Sequence, residues 1–284
     1  MTRMLITIAT AVIVMILAST SCVHEFSFQQ GDVDTNTIIV EGYVTNELKQ
    51  HTIRISKLNS YYDTTVNYVT GAFVAVTSGD STYYYHDNGD GTYESDSRYV
   101  GVVGNVYYLH IEIDNGMVVL SAESSMLPVT PPDKLTFNQL DGNNLVINHI
   151  AESFVSDNPA KYVLQLSWRD PKTDHPTAAE IYYYSLTTVD ISQLFAPKVA
   201  ETVFPIGTQI IERKYSIDAA YENYLRSLLA ETRWSGGYFD EAHGNLHTNI
   251  SIVTTNNPKL KTAGYFSANT VYIDTLVAKY SPDF

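Results

Sequence analysis

The chain has 284 residues, of which 44% are hydrophobic and 17% are charged. This composition supports a sizeable buried core and excludes an intrinsically disordered chain. With 31 acidic and 17 basic residues the formal net charge is −14, which disfavours nucleic acid as a partner. The single cysteine, Cys22, excludes a disulfide framework, a zinc-finger cluster and an iron–sulfur site, because each needs several thiols.

Residues 1–21 have the pattern of a secretory signal peptide. Arg3 gives a positive start, residues 5–18 form an apolar run, and small residues precede Cys22. The run is shorter than the about 20 residues that a membrane-spanning helix needs. The small residues before the lone cysteine resemble the lipobox of bacterial lipoproteins, with Ser19 in place of the usual leucine. This resemblance implies cleavage before Cys22 and acylation of its thiol and its new amine, which together anchor the chain in a membrane.

Residues 22–36 are predicted to be a lipidated tether, since they are mostly polar and include Gln29-Gln30-Gly31. A soluble secreted protein with an ordinary cysteine after its cleavage site is the alternative. The stretch Val23-His24-Glu25-Phe26 lacks the dense acidic run that resembles a surface-export signal. Surface-exposed and periplasmic-facing placements are therefore both open.

Residues 37–127 alternate apolar and polar side chains, which is typical of half-buried strands. Ile53 and Ile55, for example, flank the polar Arg54, and turn residues such as Asn88-Gly89-Asp90-Gly91 separate the runs. The predicted strands are Ile38–Thr45, His51–Ser56, Ala72–Ser78, Ser81–Tyr85, Thr92–Ser95, Val106–Ile113 and Met117–Ser121. About seven short strands in this length predict an immunoglobulin-like β-sandwich.

Residues 128–132 are predicted to be a proline-rich hinge, because Pro128, Pro131 and Pro132 cannot continue a ladder of backbone hydrogen bonds. Residues 133–284 are predicted to form a second, β-rich domain. Its predicted strands are Leu145–Ile150, Tyr162–Trp168, Glu180–Thr188, Thr208–Tyr215, Asn249–Thr254, Gly264–Ala268 and Val271–Val277.

One amphipathic helix is predicted at about residues 216–233 of this second domain. Ser216 is the candidate N-cap and Gly236-Gly237 ends the pattern. The apolar residues at helical spacing are Ile217, Ala220, Tyr221, Tyr224, Leu225, Leu228 and Leu229. We expect this stripe to face the core, and an exposed partner-binding face is the alternative.

The chain also resembles a known family over nearly all of its mature length. The stretches that carry the resemblance, in similar order and spacing, are Ile39–Asn46, Gly71–Val76, Gly91–Tyr93, Gly104–Leu109, Ile217–Tyr224, Gly244–Ile250 and Ala263–Ala268. They are similar to the Bacteroidetes lipoproteins catalogued as domain of unknown function 4249. Residues 170–204 match little.

The resemblance implies an outer-membrane lipoprotein, often encoded beside a TonB-dependent transporter, and it supplies no catalytic residues. The residues themselves offer no Gly-x-Ser-x-Gly elbow, Walker A loop or dinucleotide fingerprint. The 31 acidic residues do not single out a glycosidase pair. We expect no cofactor and no enzymatic activity.

Two motifs could bind a metal ion. Asp240, Glu241, His243 and His247 offer four ligands in eight residues, although Gly244-Asn245 predicts a turn, in which the spacing of the two histidines loses its helical meaning. The run Asp87-Asn88-Gly89-Asp90-Gly91 suggests a calcium loop but lacks the ligand pattern of an EF-hand. A hairpin in which the glycines and Asn88 adopt positive φ is the favoured interpretation.

The 22 tyrosines are the compositional feature that most favours ligand binding. Consecutive strand residues point to opposite faces, so in each tyrosine pair one ring is expected in the core and the other outside. Tyr61, Tyr62, Tyr84 and Tyr183 are the candidate ligand-binding residues, for an oligosaccharide or a peptide.

Two classes of function remain at this point. The first is a non-enzymatic outer-membrane lipoprotein that captures a ligand or serves as an accessory subunit of a TonB-dependent transporter. A structural role as an adhesin or scaffold is an open alternative that the sequence does not separate from this class. The second is a lipid-anchored hydrolase acting on glycans or peptides. Aromatic residues on one flat face would favour capture, and a deep cleft with converging carboxylates or histidines would favour hydrolysis.

Overall fold

The computed structural model describes residues 36–59, 66–131, 135–149, 162–169, 176–181, 203–232 and 246–280. The chain divides into two units, residues 1–33 and 34–284, and every described residue belongs to the second. The strands, in chain order, are β1 (Thr37–Thr45), β2 (Thr52–Lys57), β3 (Asn67–Tyr68), β4 (Phe73–Ser78), β5 (Ser81–Asp87), β6 (Thr92–Ser95), β7 (Val106–Ile113), β8 (Val118–Ser125), β9 (Thr136–Asp141), β10 (Asn144–His149), β11 (Tyr162–Arg169), β12 (Pro176–Ile181), β13 (Val203–Pro205), β14 (Gln209–Ser216), β15 (Ser251–Thr254), β16 (Lys261–Asn269) and β17 (Val271–Val277). The helix of the described residues is α1 (Ala219–Thr232).

The first sheet has ten strands in the order β15-β8-β7-β4-β5-β6-β2-β1-β16, with β3 paired to β2. Its pairs are antiparallel except for β1 and β16, which run parallel. In β7 the side chains of Tyr107, Leu109 and Ile111 are buried, and the residues between them are more exposed. The buried side chains of β1, β2, β4, β5, β6, β7, β8 and β16 pack into one apolar core. The sheet therefore folds over itself as a sandwich.

Strand β16 lies over β8, where the Ala268 N–H donates to Ser124 Oγ at 3.0 Å. β15 and β16 follow the proline segment by more than a hundred residues, so the first sandwich takes strands from both ends of the chain. The backbone passes directly from β16 into β17, a strand of another sheet, through Thr270. The boundaries 37–127, 128–132 and 133–284 stay a prediction.

Two further sheets share a second core. One has the order β13-β10-β9 and the other β12-β11-β14-β17. Phe137 and Phe204 of the smaller sheet pack edge to face at 6.0 Å between ring centroids, and Trp168 of the other sheet lies 4.8 Å from Phe204. The prediction of a mainly-β chain, with an immunoglobulin-like sandwich followed by a β-rich part that carries one amphipathic helix, is confirmed.

Helix α1 begins at Ala219, and its N-cap is Asp218, whose Oδ1 accepts the Tyr221 N–H at 2.7 Å. The predicted N-cap, Ser216, was wrong by two positions. Ser216 ends β14, and its hydroxyl and carbonyl oxygens already accept hydrogen bonds from Thr270 and Asn269.

The apolar stripe of α1 faces the interior, as predicted. Ile217, Tyr221 and Leu225 are buried and pack with Val163 of β11 and Tyr265 of β16. Tyr224 and Leu228 are half-buried and Ala220 is exposed, while the Leu229 side chain lies outside what the structure describes.

The hairpin between β5 and β6 confirms the turn interpretation of residues 87–91. The two carboxylate oxygens of Asp87 accept backbone N–H groups, Oδ1 from Gly89 at 2.7 Å and Oδ2 from Gly71 at 2.5 Å. Gly89 and Gly91 have φ of 84° and 76°, whereas Asn88 does not share the positive φ expected of it. The Asp87 carboxylate thus stabilises the turn itself.

Candidate ligand-binding surface

The outer face of β5, β4 and β7 carries aromatic side chains. In β5 the rings alternate across the sheet, so that Tyr85 is buried while Tyr84 is 53% exposed. Phe73, at the start of β4, is 46% exposed. His110, in the middle of β7, is also partly exposed. We call Phe73, Tyr84 and His110 the aromatic strip.

The strand register places the three rings of the aromatic strip side by side. Ala75 pairs with Tyr84 on one side and with His110 on the other, so these three residues form one row across the sheet. Phe73 precedes Ala75 by two residues on β4 and so lies on the same face. The centroid of its ring is 6.0 Å from that of Tyr84 and 6.2 Å from that of His110. Ala75 is only 4% exposed although it belongs to this outer face. The rings therefore shield the sheet beneath them and present their own surfaces to solvent.

Polar pairs flank the aromatic strip at two places. His110 Nε2 lies 2.8 Å from Glu112 Oε1 on the same strand. His86 Nδ1, at the far end of β5, lies 3.0 Å from Asp96 Oδ1. All four side chains are between 41% and 58% exposed. Each pair offers an imidazole and a carboxylate for hydrogen bonding beside a ring.

The backbone beneath the aromatic strip is fully engaged in the sheet. Strand β4 pairs with β5 and β7, β5 pairs with β6 on its other side, and β7 pairs with β8. A ligand on this face meets side chains, since both edges of each strand are hydrogen-bonded.

An exposed apolar tip lies at one end of the first sandwich. The backbone N–H of Tyr99 donates to Lys49 O at 3.1 Å and that of Gly101 donates to Thr45 O at 2.9 Å, which holds two loops side by side. These loops expose Leu48, Val100, Val102 and Val103 by 42% to 59%. We call these four residues the apolar tip. Apolar side chains grouped in this way at a loop end mark a candidate contact with another protein.

Of the four tyrosines predicted to bind a ligand, Tyr84 lies in the aromatic strip. Tyr61, Tyr62 and Tyr183 lie outside the described residues, as does Cys22. Phe73 and His110 were not predicted as ligand-binding residues, since neither belongs to a tyrosine run. The alternation of Leu109, His110 and Ile111 assigned His110 to the outer face of its strand, whereas Phe73 lies in a continuous apolar run; the order of the strands was needed to place both beside Tyr84.

The predicted metal ligands Asp240, Glu241 and His243 also lie outside the described residues. The fourth, His247, is exposed, and its backbone N–H donates to Ser227 Oγ at 3.2 Å. Within the part of the chain that the structure describes, no three His, Cys, Asp or Glu side chains are grouped to hold a metal ion. Nor does any helix in that part have the length and apolarity to cross a membrane.

A family profile described as "Domain of unknown function (DUF4249)" matches residues 23–273. No match was found among curated proteins. Among solved structures, the chain is similar to a two-domain fibronectin type-III segment of chicken tenascin, at 10% identity and a TM-score of 0.20, over 63% of this chain and 90% of the other. It is also similar to the FN1-FN3 domains of chicken CNTN1, at 10% identity and a TM-score of 0.28, over 63% of this chain and 60% of the other.

Proposed function

The chain belongs to the DUF4249 family, a domain of unknown function, and from this membership and the aromatic strip we propose that it is a non-enzymatic lipoprotein of a Bacteroidetes outer membrane. In this proposal it captures a ligand for, or is an accessory subunit of, a TonB-dependent transporter. The observation that carries the proposal is the exposure of Phe73, Tyr84 and His110 together on one sheet face. Exposed aromatic rings that already pack on one another suit reversible binding, because little side-chain freedom is lost when a ligand arrives.

The anchor in this proposal is Cys22, acylated after removal of residues 1–21. Several acyl chains hold a protein to a membrane far more durably than one chain, which binds only marginally. Fourteen residues separate Cys22 from Thr37, the first residue of β1. A chain of that length reaches at most about 50 Å, so the tether is long enough to let the sandwich sample the space around a neighbouring transporter.

The apolar tip is the candidate contact with the transporter. Strand β1 runs from Thr37, where the tether ends, to Thr45, which bonds the loop that carries Val100 and Val102. Its nine residues separate the tip from the tether by about 26 Å along the strand. Thr37, which follows the tether, and the apolar tip therefore lie at opposite ends of β1, and the aromatic strip lies on other strands, β4, β5 and β7.

The position of the rings favours ligand capture over hydrolysis. Tyr84, Phe73 and His110 stand on the middle of a sheet face and are about half exposed, whereas hydrolytic sites enclose their substrate in a cleft. His110 hydrogen-bonds Glu112 of its own strand, and this pair is as open to solvent as the rings.

The test is affinity isolation of the native lipoprotein from detergent-solubilised outer membrane. We expect a TonB-dependent channel among the isolated proteins, and we expect mass spectrometry of the mature chain to show a diacylglycerol thioether at Cys22.

Substitution of Val102 and Val103 by Asp should abolish co-isolation of the channel. Val253→Asp is the matched control, because Val253 is 62% exposed on β15, away from the tip. Reproducible isolation of the protein alone, or an unmodified thiol at Cys22, would contradict the proposal.

A further inference from the structure

We propose that the aromatic strip binds a neutral oligosaccharide, with sugar rings stacked on Phe73 and Tyr84 and sugar hydroxyls bound by the flanking histidine–carboxylate pairs. The inference rests on the proposed function, since it names the class of ligand that the capture surface takes. It assigns a binding role to Phe73, His110 and Glu112 as well as to Tyr84.

The rings of the aromatic strip suit stacking against a sugar. The face of an aromatic ring is electron-rich and its edge electron-poor. A pyranose presents weakly positive C–H groups on its faces and hydroxyls around its rim, so it lays a face on an aromatic ring and its hydroxyls reach beyond the ring edge. Phe73 is tilted by 57° to Tyr84 and by 69° to His110. These contacts hold the rings in position before a ligand arrives.

The polar groups beside the rings suit hydrogen bonding to sugar hydroxyls. A sugar hydroxyl can donate a hydrogen bond, and the carboxylate of each flanking pair is an acceptor for it. In the pair of His110 Nε2 and Glu112 Oε1, 2.8 Å apart, the carboxylate still has lone pairs for a hydroxyl donor. Since Phe73 pairs with Glu112 in the register of β4 and β7, this carboxylate stands next to a ring of the strip. A sugar stacked on Phe73 therefore has a hydrogen-bond partner within one strand spacing.

The engaged backbone disfavours a peptide ligand. Extended peptides are usually recognised by adding a strand to a free sheet edge, where backbone hydrogen bonds give most of the affinity. Strands β5, β4 and β7 are paired on both edges, so this mode of recognition is closed to a peptide on the strip. A glycan needs only the side chains that the strip provides.

Charge limits the glycan to a neutral one. Glu112 and Asp96 flank the rings and are each more than 40% exposed. The whole chain carries a formal net charge of −14. A uronic acid or sulfated sugar on the strip would meet carboxylates at both ends, and like charges so placed weaken binding and slow association.

The experiment measures binding of the mature lipidated protein, from Cys22 onward, to defined glycans in detergent by isothermal titration calorimetry. The probes are maltoheptaose, cellohexaose, xylohexaose and mannohexaose as neutral oligosaccharides, and hexagalacturonate as the acidic one. We expect at least one neutral oligosaccharide to bind and hexagalacturonate not to bind. For the neutral ligand, Tyr84→Ala and Phe73→Ala should each weaken binding about ten-fold, the loss of one stacked ring.

Two further variants test whether the loss of affinity comes from removal of the aromatic ring at position 84. Tyr84→Phe keeps the ring and should retain most of the affinity, which shows that stacking carries the contact. Tyr280→Ala removes a tyrosine that is 50% exposed outside the strip, and it should bind like the wild type. Thermal unfolding of each variant checks that it folds, since Tyr84 and Phe73 are exposed and their loss should leave the sandwich intact.

Three results would overturn the inference. One is that none of the four neutral oligosaccharides binds, and another is that hexagalacturonate binds as tightly as they do. The third is that a neutral glycan binds equally well to wild type, Tyr84→Ala and Phe73→Ala. If the transporter still co-isolates in any of these cases, the proposed function stands and only the ligand class is wrong. If co-isolation and acylation fail while a neutral glycan binds through the strip, the inference stands without the transporter.

Discussion

Asn249 pairs with the backbone of Phe266 through both ends of its side-chain amide. Its Oδ1 accepts the Phe266 N–H at 3.1 Å, and its Nδ2 donates to Phe266 O at 2.7 Å. The same Nδ2 donates to Glu123 O of β8 at 2.9 Å. One side chain thus takes the place of a neighbouring strand along β16 and joins it to β8. Because Phe266 is fully buried, its backbone groups depend on this amide for hydrogen bonds.

We expect Asn249→Ala to lower the free energy of unfolding by about 3 kcal/mol, because it leaves buried backbone groups without partners. Asn249→Asp should cost at least as much, since it removes the amide donor and places a negative charge beside two carbonyl oxygens. Urea unfolding followed by circular dichroism measures both. Asn256→Ala is the control, because Asn256 is exposed and its amide donates to Met117 Sδ at a distance of 3.9 Å, a weak contact. Unchanged stability of Asn249→Ala would show that β16 is held in another way.

Gly264 supports a second prediction about the same strand. It pairs with Val40 in the parallel ladder of β1 and β16 and has a φ of 85°. A Cβ added to Gly264 would overlap the carbonyl oxygen of Val40. Gly89 has nearly the same φ, 84°, but open space around it. Comparison of alanine substitutions at the two glycines therefore separates the cost of a side chain at positive φ from the cost of steric overlap with Val40.

We expect Gly89→Ala to lower the free energy of unfolding by about 1–2 kcal/mol, the cost of a left-handed backbone with a side chain. Gly264→Ala should cost clearly more, since it adds the overlap with Val40 to the same strain. Denaturant unfolding of the two variants side by side measures the difference. Equal losses would mean that β1 and β16 move apart freely enough to admit a methyl group.

The alternation of apolar and polar side chains predicted most strands of the first sheet. Thr92–Ser95 and Val106–Ile113 match the structure residue for residue, because each has one buried face and ends in turn residues. Strand β9, Thr136–Asp141, was not predicted. Its last three residues are all exposed, so the alternation that marks a half-buried strand is missing there.

The order of the strands in the sheet could not be predicted from the sequence, because alternation assigns a side chain to a face and does not identify the neighbouring strand. Thr37 pairs with Lys261, more than two hundred residues later in the chain. The aromatic strip shows the same limit. Alternation places Tyr84 on the face opposite to Tyr83 and Tyr85, whereas its position beside Phe73 depends on the pairing of β4 with β5.

Asp218 links helix α1 to the first sandwich and allows a further prediction. Its Oδ1 accepts the Tyr221 N–H at 2.7 Å and the Tyr265 hydroxyl at 3.1 Å, and its Oδ2 accepts Ser124 Oγ–H at 3.0 Å. Burial, followed by the Asp218 charge and hydrogen bond, raises the pKa of Tyr265 above its ordinary value. The phenol therefore stays a neutral donor to the carboxylate.

We expect Asp218→Ala to lower the free energy of unfolding by about 2–3 kcal/mol, since it removes a helix cap and two further hydrogen bonds. Tyr265→Phe should cost less, because it removes one hydrogen bond and keeps the ring that packs on Tyr221 at 4.7 Å. The double variant should be less destabilised than the sum of the two, because the variants share a bond. Strict additivity in unfolding experiments would show that the two groups do not interact. Asp80→Ala, at an exposed turn residue, is the control.

His51 makes the stability of the first sandwich dependent on pH. Its side chain is 1% exposed and its Nε2–H donates to Tyr99 O at 3.1 Å, while Nδ1 has no hydrogen-bond partner among the described residues. Burial lowers the pKa of the imidazole to about 4, from 6.5. The unfolded chain therefore binds a proton at this position between those two values and the folded chain does not. The free energy of unfolding therefore has its full value above pH 6.5 and falls by on the order of 3 kcal/mol as the pH is lowered to about 4.

His51→Gln should remove this part of the pH dependence, whereas His247→Gln, at an exposed histidine, should keep it. Urea unfolding at half-unit steps from pH 4 to pH 7 measures the slope, and an identical slope in wild type and His51→Gln would exclude His51 as its source.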